Sequence, residues 1–378
     1  NGIEEKDVDI FKEEQMQSPG RTIIKNFVSN KLSMGGLIVF LCIFAFVLIG
    51  PLFFIQDLSY EESTQINLAP GLDMMSVPKG LQGKVADIAI GSSFSAGVSK
   101  TGGLYVWGKT QVLPTINLST FPKEVRGKKF VKVAAGVDHI VALTDDDQLV
   151  AWGNPRLNQT KVNPDIKNDS GKIVQIAAGY QITGVLKDNG NAFLFGNTSV
   201  NDAKIRRKYQ GSLAKLAFTS DALIGLTKAG EVVYLGSNDS SVSKIPEELK
   251  SGGVKDIATS GFTALALKED GSVVVWGNLK NGENNVPKTS SKIVSVQGGR
   301  YHYTAVLEDG SVIAWGKNNF GQANAPSIKN VTQVFSGYYQ NYVLTKDGKV
   351  TTFGLKGYLL GTDELGRDLL NRIVNGGR

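Results

Sequence analysis

One long apolar stretch stands near the start of a chain that otherwise mixes short apolar and polar runs. It covers 35–55 and reads GGLIVFLCIFAFVLIGPLFFI. An α-helix needs about 20 mostly apolar, uncharged residues to cross the hydrocarbon core of a bilayer. The apolar part of a signal peptide begins close to the N-terminus, whereas more than 30 residues precede this stretch. The pattern therefore predicts a retained transmembrane helix.

The charges that flank this stretch predict its orientation. The residues before it are basic and those after it are acidic: Arg21, Lys25 and Lys31 against Asp57, Glu61 and Glu62. Basic flanks stay on the cytoplasmic side of a membrane. The N-terminus is therefore expected in the cytoplasm, and everything after the helix outside it.

Between Val85 and Gly354, short alternating runs are separated by Gly and Asp-Gly turns, and no helical period is visible. Seven segments each end in an aromatic residue or Leu followed by Gly: Trp107-Gly108, Trp152-Gly153, Phe195-Gly196, Leu235-Gly236, Trp276-Gly277, Trp315-Gly316 and Phe353-Gly354. A period near 40 residues with several short strands in each repeat is typical of propeller blades. The pattern predicts an all-β, seven-bladed propeller. The third and fourth blades, in which Phe195 and Leu235 replace the Trp, are expected to pack less regularly.

The repeats resemble a known family. Gly136 to Leu143 read G-x-x-H-x-x-A-L, Asp270-Gly271 forms a hairpin turn between alternating runs, and Trp-Gly closes the repeat. These features are similar to regulator-of-chromosome-condensation repeats, which implies a seven-bladed propeller. Because one fold hosts many functions, this likeness implies a binding scaffold and no particular activity.

The last residues predict an amphipathic helix. Apolar residues lie on one helical stripe: Leu365, Leu369, Leu370, Ile373 and Val374. Thr362 or Asp363 is expected to cap this helix. Asp363 with Arg367, and Asp368 with Arg372, have the spacing of ion pairs within a helix.

The same residues carry a second resemblance. The run Gly361-Thr-Asp-x-x-Gly-Arg-Asp368 with x-x-x-Arg-x-x-x-Gly-x-Arg378 resembles the segment before the second membrane helix of C-type permease subunits in dipeptide/oligopeptide and nickel ABC importers. The residues 27–39, Gly50-Pro51-Leu52 and Asn67 to Pro70 resemble that family's first membrane helix and external segment. The resemblance implies a propeller inserted between about Pro78 and Lys356, with its two ends close together. It also implies further membrane helices, so the chain is expected to be a fragment or part of a longer protein.

These two resemblances define the expected organisation of the chain. The expected parts are a cytoplasmic segment 1–34, a transmembrane helix 35–55, an external linker 56–78, a seven-bladed β-propeller 79–356, and an external scoop helix 357–378 that leads to a second membrane helix.

The resemblance to permeases also implies a function. The chain is expected to be a permease subunit of an ATP-driven peptide importer, with the propeller recognising a partner or substrate. The expected partners are a homologous second permease subunit, two ATPase subunits, an extracytoplasmic substrate-binding lipoprotein, the peptide substrate and membrane lipid, with no nucleic acid. The alternative is a membrane-anchored propeller for recognition or adhesion without transport. The sequence leaves open whether peptide, nickel or another solute is carried.

The composition argues against catalysis or a metal site in this chain. A single cysteine, Cys42, excludes an internal disulfide and a Cys-based zinc site. The two histidines, His139 and His302, occupy a repeat position where Phe94 and Ile182 stand in other copies, which favours packing. No nucleophile–base grouping or phosphate-binding loop is visible. The chain is therefore expected to be no enzyme and to hold no cofactor.

Three sets of residues are candidate sites. The scoop set, a contact for the binding protein or a brace for the following helix, is Gly361, Thr362, Asp363, Gly366, Arg367 and Asp368. The propeller-face set, on turns after the first strands, is Tyr180, Phe262, Arg300, Tyr301, Tyr338 and Tyr339. Aromatic residues and Arg dominate binding hot spots, although packing between blades would explain them equally. The basic set, for an anionic partner or for solubility, is Lys204, Arg206, Arg207 and Lys208 in a chain of net charge +6.

Overall fold

The computed structural model of the protein describes residues 18–54, 57–197, 205–236 and 239–376. The chain divides into two compact units, which are described separately below. One unit comprises Asn1–Glu61 and Arg367–Arg378, and the other comprises Glu62–Gly366.

The first unit is helical in its described residues. A helix over Pro19–Ser29, which the sequence pattern did not predict, precedes the apolar helix Lys31–Phe53. The side chain of Asn30 begins the apolar helix by accepting hydrogen bonds from the backbone N–H groups of Leu32 and Ser33. The helix has 23 residues and a mean hydropathy of 2.8, so it is long and apolar enough to cross a membrane.

The C-terminal helix is shorter than predicted and spans Leu369–Gly376. Its cap is Asp368, whose carboxylate accepts the N–H of Leu370 at 2.9 Å; the predicted caps Thr362 and Asp363 lie outside it. Gly366 has φ +72°, a left-handed conformation that a continuous helix does not contain. The prediction of a helix from Leu365 is therefore wrong.

The second unit contains, in its described residues, seven three-stranded antiparallel sheets, here called blades 1 to 7. The first strands are Val85–Ile90, Phe130–Ala135, Ile173–Ala178, Leu213–Phe218, Val254–Thr259, Ile293–Gly298 and Val331–Ser336. The second strands are Phe94–Ser99, His139–Thr144, Ile182–Lys187, Leu223–Thr227, Thr263–Lys268, His302–Leu307 and Gln340–Thr345. The third strands are Leu104–Gly108, Leu149–Gly153, Ala192–Gly196, Val232–Tyr234, Val273–Gly277, Val312–Gly316 and Val350–Gly354.

The blades form a closed ring. The first strand of every blade contacts the first strand of the next, and blade 7 contacts blade 1 in the same way. The core lies between neighbouring blades, as where Ile140 and Trp152 of blade 2 pack with Phe94 of blade 1. Val85 and Phe335 pack together where the ring closes. The predicted fold class, an apolar N-terminal helix followed by an all-β propeller and a short C-terminal helix, is confirmed.

The Trp-Gly dipeptides hold the loops between blades. The indole N–H groups of Trp152, Trp276 and Trp315 donate to the backbone oxygens of Leu118, Val242 and Glu283 at 2.8, 3.1 and 2.7 Å. Blade 4 has Leu235 instead of Trp, and its third strand has three residues where the others have five. Blade 3 keeps a five-residue third strand, so only blade 4 shows the expected irregularity.

Smaller elements lie in the connecting segments. They are the short helix Asp165–Asn168, the 3₁₀ turns Ser63–Gln65, Lys123–Val125, Arg207–Tyr209 and Glu247–Leu249, and the hairpin of Gln111–Leu113 with Ile116–Asn117. The Asp-Gly turns between second and third strands also form as predicted. Gly271 and Gly310 have φ of +85° and +80°, a conformation that glycine adopts without steric cost.

Candidate binding face and neck of the propeller

The turns that follow the first strands form a ring around the propeller axis. Backbone N–H groups in these turns donate to carbonyls of the next blade: Val137 to Tyr180, Ser220 to Gly261, Gly261 to Arg300 and Arg300 to Tyr338, at 2.6 to 3.1 Å. These bonds join the turns of neighbouring blades to one another. We call this end of the propeller the turn face.

A cavity of about 200 Å³ lies on the axis at the turn face. Residues from all seven blades line this axial pit, mostly glycines and hydroxyl-bearing side chains. Three residues of the predicted propeller-face set, Tyr180, Arg300 and Tyr338, contribute to its wall. Phe262 follows Gly261 of the wall and is 37% exposed, and Tyr180 is 41% exposed.

Arg300 is the cation of the pit wall. Its Nε donates to the hydroxyl of Tyr301 at 3.2 Å, and its Nη1 lies 3.4 Å from Oε1 of Glu62. The guanidinium carbon also lies 5.5 and 5.3 Å from the ring centres of Tyr301 and Tyr338, within the range of cation–π attraction. Burial disfavours its charge, but Tyr339 and Glu62 outweigh that effect and raise the pKa of Arg300.

Tyr339 makes contacts within the chain and is not exposed for binding a partner. Its side chain is fully buried, its hydroxyl donates to Oε2 of Glu62, and its ring packs edge-on to Phe320. Glu62 is buried too. Burial acts to raise its pKa, but Arg300, Tyr339 and the Thr64 hydrogen bonds outweigh it and hold the pKa of the Glu62 carboxyl below its usual value. The part of the propeller-face set around Tyr339 is thus covered by the segment that carries Glu62.

That segment and the one after blade 7 run side by side, and we call the pair the neck, formed by 62–71 and 358–366. Four backbone bonds cross it: Gly71 N–H to Tyr358 oxygen at 2.8 Å, Asn67 N–H to Asp363 oxygen at 3.0 Å, Thr362 N–H to Leu68 oxygen at 3.1 Å, and Glu62 N–H to Leu365 oxygen at 3.2 Å. The chain enters and leaves the propeller through this pair of segments. The expectation that the two ends of the propeller lie close together is met.

The Gly-Thr-Asp motif lies within the neck. Thr362 is buried, its hydroxyl donates to the Gln65 oxygen, and it accepts the Leu68 N–H at 2.8 Å. Gly361 and Gly366 are buried and pack against Leu68 and Glu62, which leaves no space for a Cβ. These three residues therefore have no open surface for a partner.

The other residues of the scoop set are half-buried. Asp363 accepts the backbone N–H of Leu365 at 3.0 Å, and Arg367 follows the neck. Asp368 caps the C-terminal helix, and burial, the largest effect, raises the pKa of its carboxyl. The scoop set is thus divided between the neck, which it helps to build, and the helix that follows.

Two residues that the sequence analysis did not single out as sites, Glu62 and Gln65, link the neck to the turn face. Gln65 is fully buried and its side-chain amide donates to the Ser92 carbonyl at 2.8 Å. In blades 3, 5, 6 and 7 the equivalent turn carbonyl accepts a backbone N–H from the preceding turn. An acidic residue and a glutamine after an apolar helix give no signal of this role, because Ser92 lies 27 residues after Gln65, and Arg300 and Tyr339 lie more than 200 residues after Glu62.

The basic set lies at the edge of blade 4. Lys204 is outside the described residues; Arg206, Arg207 and Lys208 are exposed, and the Lys208 amine lies 4.8 Å above the ring of Tyr209. A cavity of about 700 Å³ beside Arg206 is also lined by Lys244 and Lys250 from the next loop. Glu247 also lines this cavity and forms an ion pair with Lys250 at 2.5 Å, so the basic surface extends beyond the sequence run by Lys244.

The histidines are packing residues, as expected. Both are fully buried, with Nε2 of His139 2.9 Å from the Thr183 hydroxyl and Nε2 of His302 2.8 Å from Oδ1 of Asn341. Burial lowers the pKa of each imidazole to about 4. Among the described residues, no cluster of His, Cys, Asp and Glu could hold a metal ion.

Two regions of the chain match the profiles of two different protein families. The profile of the regulator of chromosome condensation (RCC1) repeat matches residues 130–159 and 293–322, which begin at the first strands of blades 2 and 6. The profile of the N-terminal TM domain of oligopeptide transport permease C matches residues 18–70, which include the apolar helix and the first side of the neck. The chain thus carries RCC1-type repeats and an N-terminal part similar to a permease membrane domain.

Among curated proteins, the X-linked retinitis pigmentosa GTPase regulator homolog of Caenorhabditis elegans is 34% identical over 98 residues. That match covers 24% of this chain and only 7% of the worm protein. The structure of human WBSCR16 matches with a TM-score of 0.57 at 17% identity. The match covers 70% of this chain and 87% of the WBSCR16 chain. The ectodomain of the Arabidopsis thaliana receptor kinase ACR4 has a TM-score of 0.54 at 18% identity. The match covers 71% of this chain and 96% of the ACR4 chain. These structural likenesses show the fold alone.

Proposed function

We propose that the protein is a permease subunit of an ATP-driven peptide importer, in which a propeller is inserted between the first membrane helix and the next. The pairing of the neck carries this proposal. One side of the neck lies within the permease-like stretch 18–70, and the other side holds the Gly-Thr-Asp motif that resembles the same permease family. Two segments that are adjacent in that family remain hydrogen-bonded here, although the propeller separates them in sequence.

The closeness of the two ends of the propeller also supports an insertion. A closed ring of blades begins and ends at neighbouring positions, which makes it compatible with insertion into an existing segment. The apolar helix Lys31–Phe53 would cross a bacterial cell membrane with the N-terminus in the cytoplasm and the propeller outside. The proposed partners are a homologous permease subunit, two ATPase subunits and a lipid-anchored binding protein that delivers the peptide.

Purification of the intact complex tests this proposal. The full-length protein, tagged at its own locus, is solubilised from native membranes after mild cross-linking, and its partners are identified by mass spectrometry. We expect a second permease subunit and ATPase subunits in amounts comparable with the tagged chain. An unrelated tagged single-pass membrane protein is the matched control. Recovery of the chain without any ATPase or permease partner would overturn the proposal and favour a membrane-anchored recognition protein.

A further inference from the structure

The guanidinium of Arg300 uses only part of its hydrogen-bonding capacity. Its side chain is 22% exposed and contributes to the wall of the axial pit. Of the five N–H donors that a guanidinium has, one bonds to Tyr301 and one points to Glu62. Within the part of the chain that the structure describes, the other three have no hydrogen-bond partner. A half-buried cation with unused donors at a cavity wall is suited to an anionic ligand.

The bond to Glu62 leaves room for such a ligand. Nη1 and Oε1 are 3.4 Å apart, longer than the about 2.7–2.9 Å of a strong charge-assisted hydrogen bond. The same oxygen of Glu62 accepts the hydroxyl of Thr64 at 2.7 Å, and the other oxygen accepts the hydroxyl of Tyr339. Glu62 is therefore held mainly by Thr64 and Tyr339, and it takes up only one edge of the guanidinium.

The rest of the rim offers aromatic surface. Tyr180 and Phe262 are 41% and 37% exposed on the turns of blades 3 and 5, on either side of the blade 4 turn, whose Ser220 lines the pit. Exposed aromatic side chains beside a cavity supply contact area at small entropic cost. The pit, at about 200 Å³, is smaller than the about 300–1,000 Å³ of sites that enclose whole drug-sized molecules. It has room for the end of a ligand and not for a long peptide.

We propose that the axial pit binds the carboxyl end of a peptide, with its carboxylate on Arg300 and its last side chain against Tyr180 and Phe262. A planar guanidinium matches the two oxygens of a carboxylate. The choice of a peptide as the ligand rests on the proposed transport function, whereas the carboxylate site rests on the geometry of the pit. Glu62 is then an internal competitor, because its carboxylate already takes one edge of Arg300.

Calorimetric titration of the full chain in lipid nanodiscs tests the site with three probes. They are the tripeptide Gly-Gly-Phe, its C-terminal amide, and acetyl-Phe-Glu-amide, in which the only carboxylate is a side chain. We expect the free acid to bind about ten- to hundredfold more tightly than its amide, as a charge-assisted hydrogen bond implies. Binding of acetyl-Phe-Glu-amide as tight as that of Gly-Gly-Phe would reassign the source of the carboxylate to an acidic side chain. Absence of binding by all three probes would overturn the proposal.

Two substitutions that should have opposite effects on binding of the free acid test the site most sharply. Arg300→Gln should remove the preference for the acid over the amide, whereas Glu62→Gln should increase affinity for the acid severalfold because it frees Arg300. Tyr180→Ala should weaken binding of both acid and amide. Arg156→Gln, an exposed arginine outside the pit wall, is the matched control and should bind as the unaltered chain does.

The fold of each variant is checked by its thermal unfolding. If Arg300→Gln unfolds, the increase with Glu62→Gln and the loss with Tyr180→Ala still decide the question. Equal affinity for acid and amide in the unaltered chain, or a decrease with Glu62→Gln in a folded variant, would contradict the site. Acid-dependent binding in a chain that purifies without transport partners would retain the site and reject the transport function.

Discussion

The two histidines show how a single residue fits into the repeat. His139 and His302 each stand three residues after a glycine of the turn face, and the imidazole packs directly against that glycine. Phe94 makes the same contact with Gly91 in blade 1. A Cβ on Gly136 would also lie 2.8 Å from the Gly179 carbonyl oxygen of the next blade. The Gly-x-x-His motif is therefore a close-packing motif, in which glycine makes space for the ring.

Burial of the two neutral histidines makes the propeller sensitive to acid. Their pKa is lowered to about 4 in the folded chain, against 6.5 without burial. Below pH 6.5 the unfolded chain takes up protons that the folded chain does not, so stability falls as the pH falls from 6.5 towards 4. Each histidine should contribute a loss of about 1.5 kcal/mol between pH 6.5 and pH 5.

The double variant His139→Phe/His302→Phe tests this linkage, since Phe94 shows that the position accepts the ring. Thermal unfolding followed by circular dichroism between pH 5 and pH 7.5 should show a smaller loss of stability in acid for the variant. Burial raises the pKa of Asp87 to about 6, which opposes the trend, but Asp87 is common to both proteins and cancels in the difference. Identical pH profiles would refute the account of the histidines.

At the scale of elements, the sequence pattern predicted the strands and turns that depend on interactions between residues close together in the chain. Alternation, Asp-Gly turns and the Trp-Gly dipeptide were enough to place the strands of the seven blades, because each is a short-range signal. The predicted start of the C-terminal helix was wrong. Leu365 has the spacing of the apolar helical stripe, but its carbonyl accepts the Glu62 N–H in the neck. That contact joins residues about 300 positions apart, and no local pattern reports it.

Removal of one hydroxyl group, that of Thr362, tests whether the hydrogen bonds of the neck hold its two segments together. Thr362→Val keeps the shape of the side chain but removes the hydrogen bonds to the Gln65 oxygen and from the Leu68 N–H. An unsatisfied buried donor or acceptor costs about 1–3 kcal/mol. Hydrogen–deuterium exchange of peptides from 62–71 and 358–366 should therefore become about tenfold faster or more.

Thr352→Val is the matched control for this experiment. Thr352 lies in the third strand of blade 7, and its hydroxyl makes no hydrogen bond within the described part of the chain. Exchange in the neck should be unchanged in this control, and exchange in blades 2 to 5 should be unchanged in both variants. Unaltered neck exchange in Thr362→Val would show that the motif residues do not hold the neck together.

At the scale of the whole molecule, sequence and structure supply different parts of the account. The apolar N-terminal helix and the propeller could be predicted, because hydropathy and a repeat period are both visible in one sequence. The axial pit could not, since Arg300 and Tyr180 meet there only after the ring has closed. The propeller-face set was only partly an open surface, because Tyr339 is covered by the neck's own Glu62.

The central claim is that this chain is part of a peptide importer, and uptake in the native host tests it most directly. In a strain that lacks its other peptide importers, deletion of this gene should abolish ATP-dependent uptake of a radiolabelled tripeptide. Return of the full-length gene should restore that uptake. Unchanged uptake after deletion, or no restoration with the protein present in the membrane by immunoblot, would contradict the claim.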